Sequence, residues 1–337
     1  MSFNKEQVVE YVLNLISNND KRIVPKTTEY FGISKSSVYN YLAELVDNGT
    51  IKKDKGGYSL VFKEYSFKYD NTDRLGEDRV FTQDILPLIC TLPDNVRSIW
   101  NYAFTEMMNN AIEHSSADKI LVSVMTNEFK TSILIYDNGI GIFKNIQSFI
   151  KEQRGESLPL DECASLLFAG KFTTAENMHS GEGIFFTSHV MDTFFILSDD
   201  VVFSRNNFKD NWAGGFTPKQ DGTIVIMELY NHTKKVLRDV FSRFASIEDG
   251  FTKTSIPIAH FFSGGYPVSR SEARRLGELI MKFEEIDLDF LDVEDVGQAF
   301  VHELFVVWQG KNPNKRLNVL NTSEGVNFMI KRVLNTK

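Results

Sequence analysis

Glu106-Met-Met-Asn-Asn110-Ala-Ile-Glu-His114 sets a carboxylate, a side-chain amide and an imidazole four residues apart. On a helix that spacing puts all three on one face. The carboxylate of Glu106 is able to orient an attacking water or hydroxyl. One turn on, the amide oxygen of Asn110 is a fitting protein ligand for a magnesium ion clamped to a triphosphate, because that ion takes hard oxygens and keeps several waters. A second string, Asp137-Asn-Gly139-Ile-Gly141, offers an accepting carboxylate suited to the exocyclic amine of adenine. Its glycines, Gly139 and Gly141, let backbone approach the base without a side-chain clash. A third, Gly181-Glu-Gly183, precedes a short helix-forming stretch at 184–192, and free N–H groups at a helix start favour phosphate. In this order the three pieces read as one Mg2+–ATP site. Each has a plainer reading alone: a solvated amphipathic helix, an Asn-Gly turn, a glycine-rich loop.

The elements that must position these residues follow from periodicity. Residues 98–114 lack Gly and Pro, and Trp100, Ala103, Phe104, Met107, Met108 and Ala111 recur at helical spacing. Residues 119–127 and 130–136 read as two strands joined by a short polar turn, with Asp137 where the second ends. Asp221-Gly222-Thr223 opens a strand over 223–230, which places the Thr223 hydroxyl to brace the Asp137 side of the base. Residues 143–180 have few long apolar runs after Phe168 and read as a movable lid. Lys171 or His179 would reach a terminal phosphate when it closes, or would simply be solvated.

The order and spacing of these pieces resemble the GHKL ATPases, the group of sensor histidine kinases, anti-sigma-factor serine kinases, topoisomerase, mismatch-repair and chaperone ATPases. The likeness covers roughly residues 75–235. It implies a Bergerat-type α/β sandwich with Glu106 as general base or water-orienting catalytic group and Asn110 as magnesium ligand. It further implies Asp137 as adenine contact and Gly181 and Gly183 as phosphate-loop glycines. The string Asn110-Ala-Ile-Glu-His114 is similar to the helix of the anti-sigma serine kinases, which leaves His114 open between a nucleotide-site and a packing role.

Composition fits several globular domains, because 337 residues exceed what one core usually serves. No leader or membrane-spanning run is visible, and a cytoplasmic location is expected. Cys90 and Cys163 form neither a zinc pattern nor a disulfide framework. A net charge of −8 argues against a nucleic-acid coat, while leaving room for a local basic patch. The amino terminus supplies one. Helical stretches at 4–17, 27–31 and 34–47, with Gly32 at a turn and Ser34 as cap, are followed by a hairpin around Lys55-Gly56-Gly57. The segment resembles the winged helix-turn-helix domains of bacterial regulators. That likeness puts Lys35, Ser36, Ser37, Tyr39 and Asn40 at a recognition-helix start and Lys52 and Lys53 on a wing, facing double-stranded DNA. Such domains also serve as protein-docking modules.

After residue 235 helices and strands alternate, with capping boxes at Ser269-Arg-Ser-Glu272 and Asn321-Thr-Ser-Glu324. The pattern is similar to STAS-like domains found behind ATP-binding domains. Asp295-Val-Gly297-Gln298 stands where STAS antagonists of anti-sigma factors carry a phosphorylatable serine, so a docking or dimerisation role is implied rather than self-phosphorylation. The expected fold is α+β and multidomain: a winged helix-turn-helix over 1–64, a GHKL-type domain over 65–235, and a STAS-like α/β domain over 236–337. The expected function is a regulator in which Mg2+–ATP controls DNA binding or the docking of a protein partner. The alternative is an anti-sigma-type serine or histidine kinase acting on a separate protein. An ATP-driven machine ranks last, because no transducer length is evident. A homodimer is expected from the winged helix alone.

Overall fold

The computed structural model describes the chain except residues 1–3, 73, 156, 172–181, 207–210, 247–249, 263–265 and 336–337. Helices α1 (Lys5–Ser17), α2 (Ile23–Phe31) and α3 (Lys35–Asp47) come first. Asn4 and Gln7 form a capping box that opens α1. Gly32, at φ 65°, closes α2 in the left-handed conformation that glycine adopts freely. Ser34 caps α3 by accepting the Ser37 N–H at 3.1 Å. Val12, Ile16, Val38, Leu42 and Leu45 fill the space between the three helices. An antiparallel hairpin, β1 (Ile51–Asp54) and β2 (Gly57–Leu60), follows.

The chain then builds an antiparallel sheet from β3 (Lys63–Asp70), β4 (Lys119–Thr126), β5 (Lys130–Asp137), β6 (Thr193–Asn206) and β7 (Asn211–Tyr230), in the order β3-β4-β5-β7-β6. Alternation decides which face is buried: Ile120, Val122 and Val124 of β4 and Ile133 and Ile135 of β5 point into the core. Against that face lie the run α4 (Glu77–Val80), a wide-turned segment Phe81–Ile85 and α5 (Leu86–Ile89). The same face packs α6 (Asp94–Glu113), α7 (Ile142–Arg154), α8 (Leu160–Ala169) and α9 (Gly183–Val190). The α6 stripe expected from sequence is buried: Trp100, Ala103, Phe104 and Met108 are 0% exposed.

Past β7 come α10 (Leu237–Phe244), β8 (Ala245–Ser246), β9 (Gly250–Phe251), β10 (Lys253–Pro257), α11 (Ile258–Phe261) and α12 (Arg270–Ile280). The chain ends with β11 (Glu285–Asp289), a helical run of α13 (Gln298–Val301), His302–Trp308 and α14 (Gln309–Lys311), then β12 (Arg316–Leu320) and α15 (Glu324–Leu334). Strands β10, β11 and β12 pair in parallel, which requires the helical crossovers seen between them. The Ser269–Glu272 capping box opens α12 as the sequence predicts.

Two joints tie these parts. Helix α8 carries the C-terminal layer on the middle one: Thr254 donates to the Ala169 carbonyl at 2.6 Å, Ser165 to the His260 carbonyl at 2.9 Å, and Arg275 pairs with Glu162 at 2.8 Å. At the β4–β5 turn, Phe129 joins the amino-terminal core, its ring 4.5 Å from that of Tyr230. Thr50 donates to Glu128 at 3.3 Å beside it.

The structure adds elements that periodicity did not announce. β3 crosses the expected domain boundary at 64/65, and its exposed edge position leaves it without an apolar run. Residues 143–180, read as a lid, hold α7 and α8. α7 presents Phe143, Ile146 and Ile150 to the core at helical spacing. Among the described residues no helix is long and apolar enough to cross a membrane. Cys90 is exposed, Cys163 is buried, and both are free. Burial pushes the Cys163 thiol up to about 12, with nearby Glu162 and Asp161 adding to the shift.

Candidate functional site

Strands β3, β4 and β5 end or begin at one end of the sheet, β6 and β7 run on past it, and pairing fixes what stands there. Asp137 lies opposite Thr223, and Thr223 opposite Ser198. Residues directly opposite in antiparallel strands share a face, so the three polar side chains form a row on the helix side. All three are buried, Asp137 at 4% exposed. The Asp137 carboxylate accepts the Gly139 N–H at 2.9 Å. Burial raises its pKa to about 6, and hydrogen bonds from Gly139 and Thr223 hold the shift back. Thr223 Oγ1 also accepts the Ile142 N–H at 3.0 Å, which ties the start of α7 to the same row.

The loop after Asp137 has little room. A β-carbon at Gly139 would fall 2.0 Å from the Ser115 carbonyl oxygen, and one at Gly141 would fall 2.6 Å from Ser198 Oγ. Ile140 donates to that Ser115 carbonyl at 2.9 Å, and Asn145 donates to the His114 carbonyl at 3.0 Å. Asn138 accepts from the Asp118 and Lys119 amides at 3.1 and 2.9 Å. The loop is thereby tied to the end of α6, whose polar stripe carries Glu106, Asn110 and His114.

Glu106 faces the amino end of α9. A β-carbon on Gly183 would fall 2.0 Å from Glu106 Oε2, so only glycine lets the first turn of α9 come this close to the carboxylate. Tyr102, one turn before Glu106, stays a protonated phenol: burial raises its pKa, and the charges of Glu106 and Glu182 add to the shift. Asn110 is half-buried, its Nδ2 4.0 Å from Met107 Sδ.

The structure therefore groups Asp137, Gly139, Gly141 and Thr223 at one end of the sheet, ties their loop to the end of α6, and sets Gly183 against Glu106 on that helix, which also carries Asn110. Gly181, with Thr173, Thr174 and His179, lies outside the described residues. Lys171 is placed at the joint with the C-terminal layer. Its Nζ donates to the Lys282 carbonyl at 3.4 Å and lies over the rings of Phe251 and Phe283, 5.4 and 5.3 Å from their centroids. Burial lowers its pKa, opposed by the charge of Glu182. Sequence reasoning passed over Tyr102, although its position four residues before Glu106 was a signal. The sequence shows Asn138 only as part of an Asn-Gly turn.

On the amino-terminal unit, Lys35, Ser36, Tyr39 and Asn40 are exposed on the first turns of α3, while Ser37 is half-buried against its cap. Lys52 and Lys53 project from β1, the Lys53 ammonium 5.7 Å from the Tyr58 ring centroid.

Comparison with protein families matches residues 272–327 to the STAS-like domain of unknown function (DUF4325). The chain thus carries a C-terminal STAS-like domain within an α+β fold. The match spans most of α12, β11, the long crossover helix, β12 and the start of α15, and so two of the three strands of the parallel layer. No curated protein matches the chain.

Proposed function

We propose that the protein is a regulator in which Mg2+–ATP, bound by a GHKL-type middle domain, controls what the flanking domains hold. The supporting observation is the fit between Gly183 and Glu106 on α6, the helix whose end holds the loop beside the buried Asp137–Thr223 pair. A glycine-opened helix start, a carboxylate facing it and a buried acceptor are the parts this reading needs. In this reading Asp137 accepts from the adenine amine, and Gly139 and Gly141 form the wall of the base pocket. The amino end of α9 faces phosphate, and Glu106 orients the nucleophile. Lys171, standing between Glu182 and the STAS-like layer, relays closure of the site to that layer.

The donor set fits a magnesium ion that arrives with its nucleotide. Among the described residues no three His, Cys, Asp or Glu side chains are grouped to hold a metal by themselves. One amide oxygen from Asn110 with phosphate oxygens and waters suits the ion's octahedral demand. When bound, the ion supplies neutralisation of phosphate charge.

The amino-terminal unit, read as a winged helix-turn-helix, presents the α3 start and the Lys52/Lys53 wing to double-stranded DNA, and the STAS-like domain takes a protein partner. The joint at Phe129 ties the DNA-facing unit to the sheet end opposite the nucleotide. This distance favours a second reading, an anti-sigma-type kinase whose substrate is a separate protein. Titration calorimetry of the full chain with Mg2+–ATP, followed by DNA retention in the same samples, separates them. Micromolar binding with nucleotide-sensitive retention supports the regulator. Phosphate transfer to a copurifying protein without DNA retention supports the kinase, and the absence of ATP binding refutes both.

A further inference from the structure

Where β6 leaves the nucleotide end of the sheet, its register with β7 slips on both sides of Asp199. Bulges of this kind re-aim side chains, often beside functional sites. Asp199 adopts φ 55°, a left-handed conformation disfavoured for any residue with a β-carbon. Its side chain is 4% exposed. One carboxylate oxygen, Oδ1, pairs with the Lys144 ammonium in the first turn of α7. The other, Oδ2, is buried without a hydrogen-bond donor among the described residues. A strained backbone and an unpartnered buried oxygen at one residue are each costly, and such features persist where the surroundings impose them and a site uses them.

The surroundings are those of the Asp137 loop. A β-carbon on Gly141 would stand 3.0 Å from Asp199 Oδ2 and 3.4 Å from the Gly222 carbonyl, so Gly141 is packed between the bulge and the β7 turn. Ser198 donates to that Gly222 carbonyl at 2.9 Å, closing the far side. Gly222 itself, at φ 74°, sits so close to Asp137 that a β-carbon would fall 1.9 Å from the Asp137 carbonyl oxygen. The positive amino end of α7 adds to the Lys144 charge in favouring a carboxylate here.

We propose that Asp199 and Lys144 form a clasp that positions the nucleotide site, pinning the start of α7 to the β6 bulge and so setting where the Gly139–Gly141 loop stands against the Asp137–Thr223 pair. The proposal rests on the nucleotide reading above. Asp199 acts through Gly141 and touches no ligand, and Lys144 spends its charge on Asp199 rather than on phosphate. A clasp of this kind sets affinity for the base and leaves the attraction of the phosphates alone.

The test uses the full chain with Asp199→Asn, Lys144→Met, the double variant and Lys144→Arg, titrated with Mg2+–ATP and with adenosine, alongside amide exchange over 139–143. The clasp predicts that either single change weakens ATP and adenosine by the same factor, about tenfold, and speeds exchange in the loop. The double variant should be no weaker than the singles, and Lys144→Arg should bind as wild type. Wild-type affinity in both single variants overturns the proposal. So do losses that multiply in the double variant, or a loss for ATP without one for adenosine, which would make Lys144 a phosphate contact. A wild-type chain that binds no ATP overturns the nucleotide reading and this proposal with it.

Discussion

The two ends of the five-stranded sheet are built to opposite plans. At the Phe129 end, the β4–β5 turn is held by Asn127, which accepts from the Phe129 and Lys130 amides at 2.8 Å each. Buried Asn231 accepts from Thr131 at 2.8 Å, and aromatic packing seals the joint to the amino-terminal unit. At the Asp137 end, about 24 Å away by the rise of eight strand residues, the chain accepts strain. A buried carboxylate has a raised pKa, and Gly141, Gly222 and Asp199 take positive φ. The first end is a fixed joint. The second carries costs that packing alone does not reward, which is what the proposed nucleotide site would explain.

The largest expected effect breaks the second end. Asp137→Asn should abolish ATP binding, a loss of at least about a hundredfold, because the amide presents a donor where the adenine amine needs an acceptor. The same change should stabilise the empty protein above pH 6. The Asp137 pKa is raised by burial from 3.8 to about 6. A carboxyl shifted upward contributes stability that is complete below its unfolded value and is lost as pH rises through about 6. Removing the charge should return roughly 1–3 kcal/mol at pH 7 in a denaturant titration. Binding has the opposite sign, since the ionised form accepts from adenine. ATP affinity should therefore fall as pH drops through about 6 while the empty fold becomes more stable. Parallel movement of the two curves would remove Asp137 from the base contact.

A pair of glycine changes sharpens the contrast through backbone alone. Gly222 and Gly49 take φ 74° and 77°, yet a β-carbon at Gly49 meets nothing within 4 Å whereas one at Gly222 meets the Asp137 carbonyl. Gly49→Ala should cost only the left-handed backbone term, about 1–2 kcal/mol. Gly222→Ala should cost about 3 kcal/mol or more, because backbone at the Asp137 end must move as well. Equal losses in thermal unfolding would mean that this end yields more easily than its packing indicates. At the other end, Phe129→Ala removes a ring that is 4% exposed and should destabilise the amino-terminal joint by about 3 kcal/mol while leaving ATP affinity unchanged. Altered affinity would show that the two ends are coupled even without DNA, and would favour the regulator over the kinase reading.

How much of this was legible in the sequence depends on whether a residue's role is local. The α6 stripe was readable because 3.6-residue periodicity writes burial directly into spacing, and Ser269–Glu272 because a capping box needs only four residues. Thr223 does lie opposite Asp137, but the strand expected to open there after Gly222 in fact runs on from Asn211 as β7. β3 and β6 were missed for different reasons. Edge β3 faces solvent along much of its length, and β6 mixes buried Ser198 and Asp199 among its apolar residues. The Asp199–Lys144 pair spans 55 residues and depends on a register slip, which no local pattern announces. Lys171 was expected to reach phosphate from its charge alone. Its place beside Phe251 and Phe283 follows from tertiary packing of a layer that the sequence showed only as alternating elements.

The smallest effect concerns the wing, and it decides whether the fixed joint serves DNA. Lys52 and Lys53 are exposed on β1 with no carboxylate partner among the described residues. If both contact phosphates, changing them together to Glu removes two counterion-releasing contacts. The slope of log affinity against log salt should then shallow by about 2. Overall affinity should fall most at low salt, where screening is weakest. Because the hairpin and the Phe129 joint are far from Asp137, ATP titration of the same variant should match wild type. An unchanged salt slope would mean that the hairpin faces away from DNA. The exposed α3 residues Lys35, Ser36, Tyr39 and Asn40 would then be better read as a protein-docking face, and the kinase reading would gain over the DNA-bound regulator.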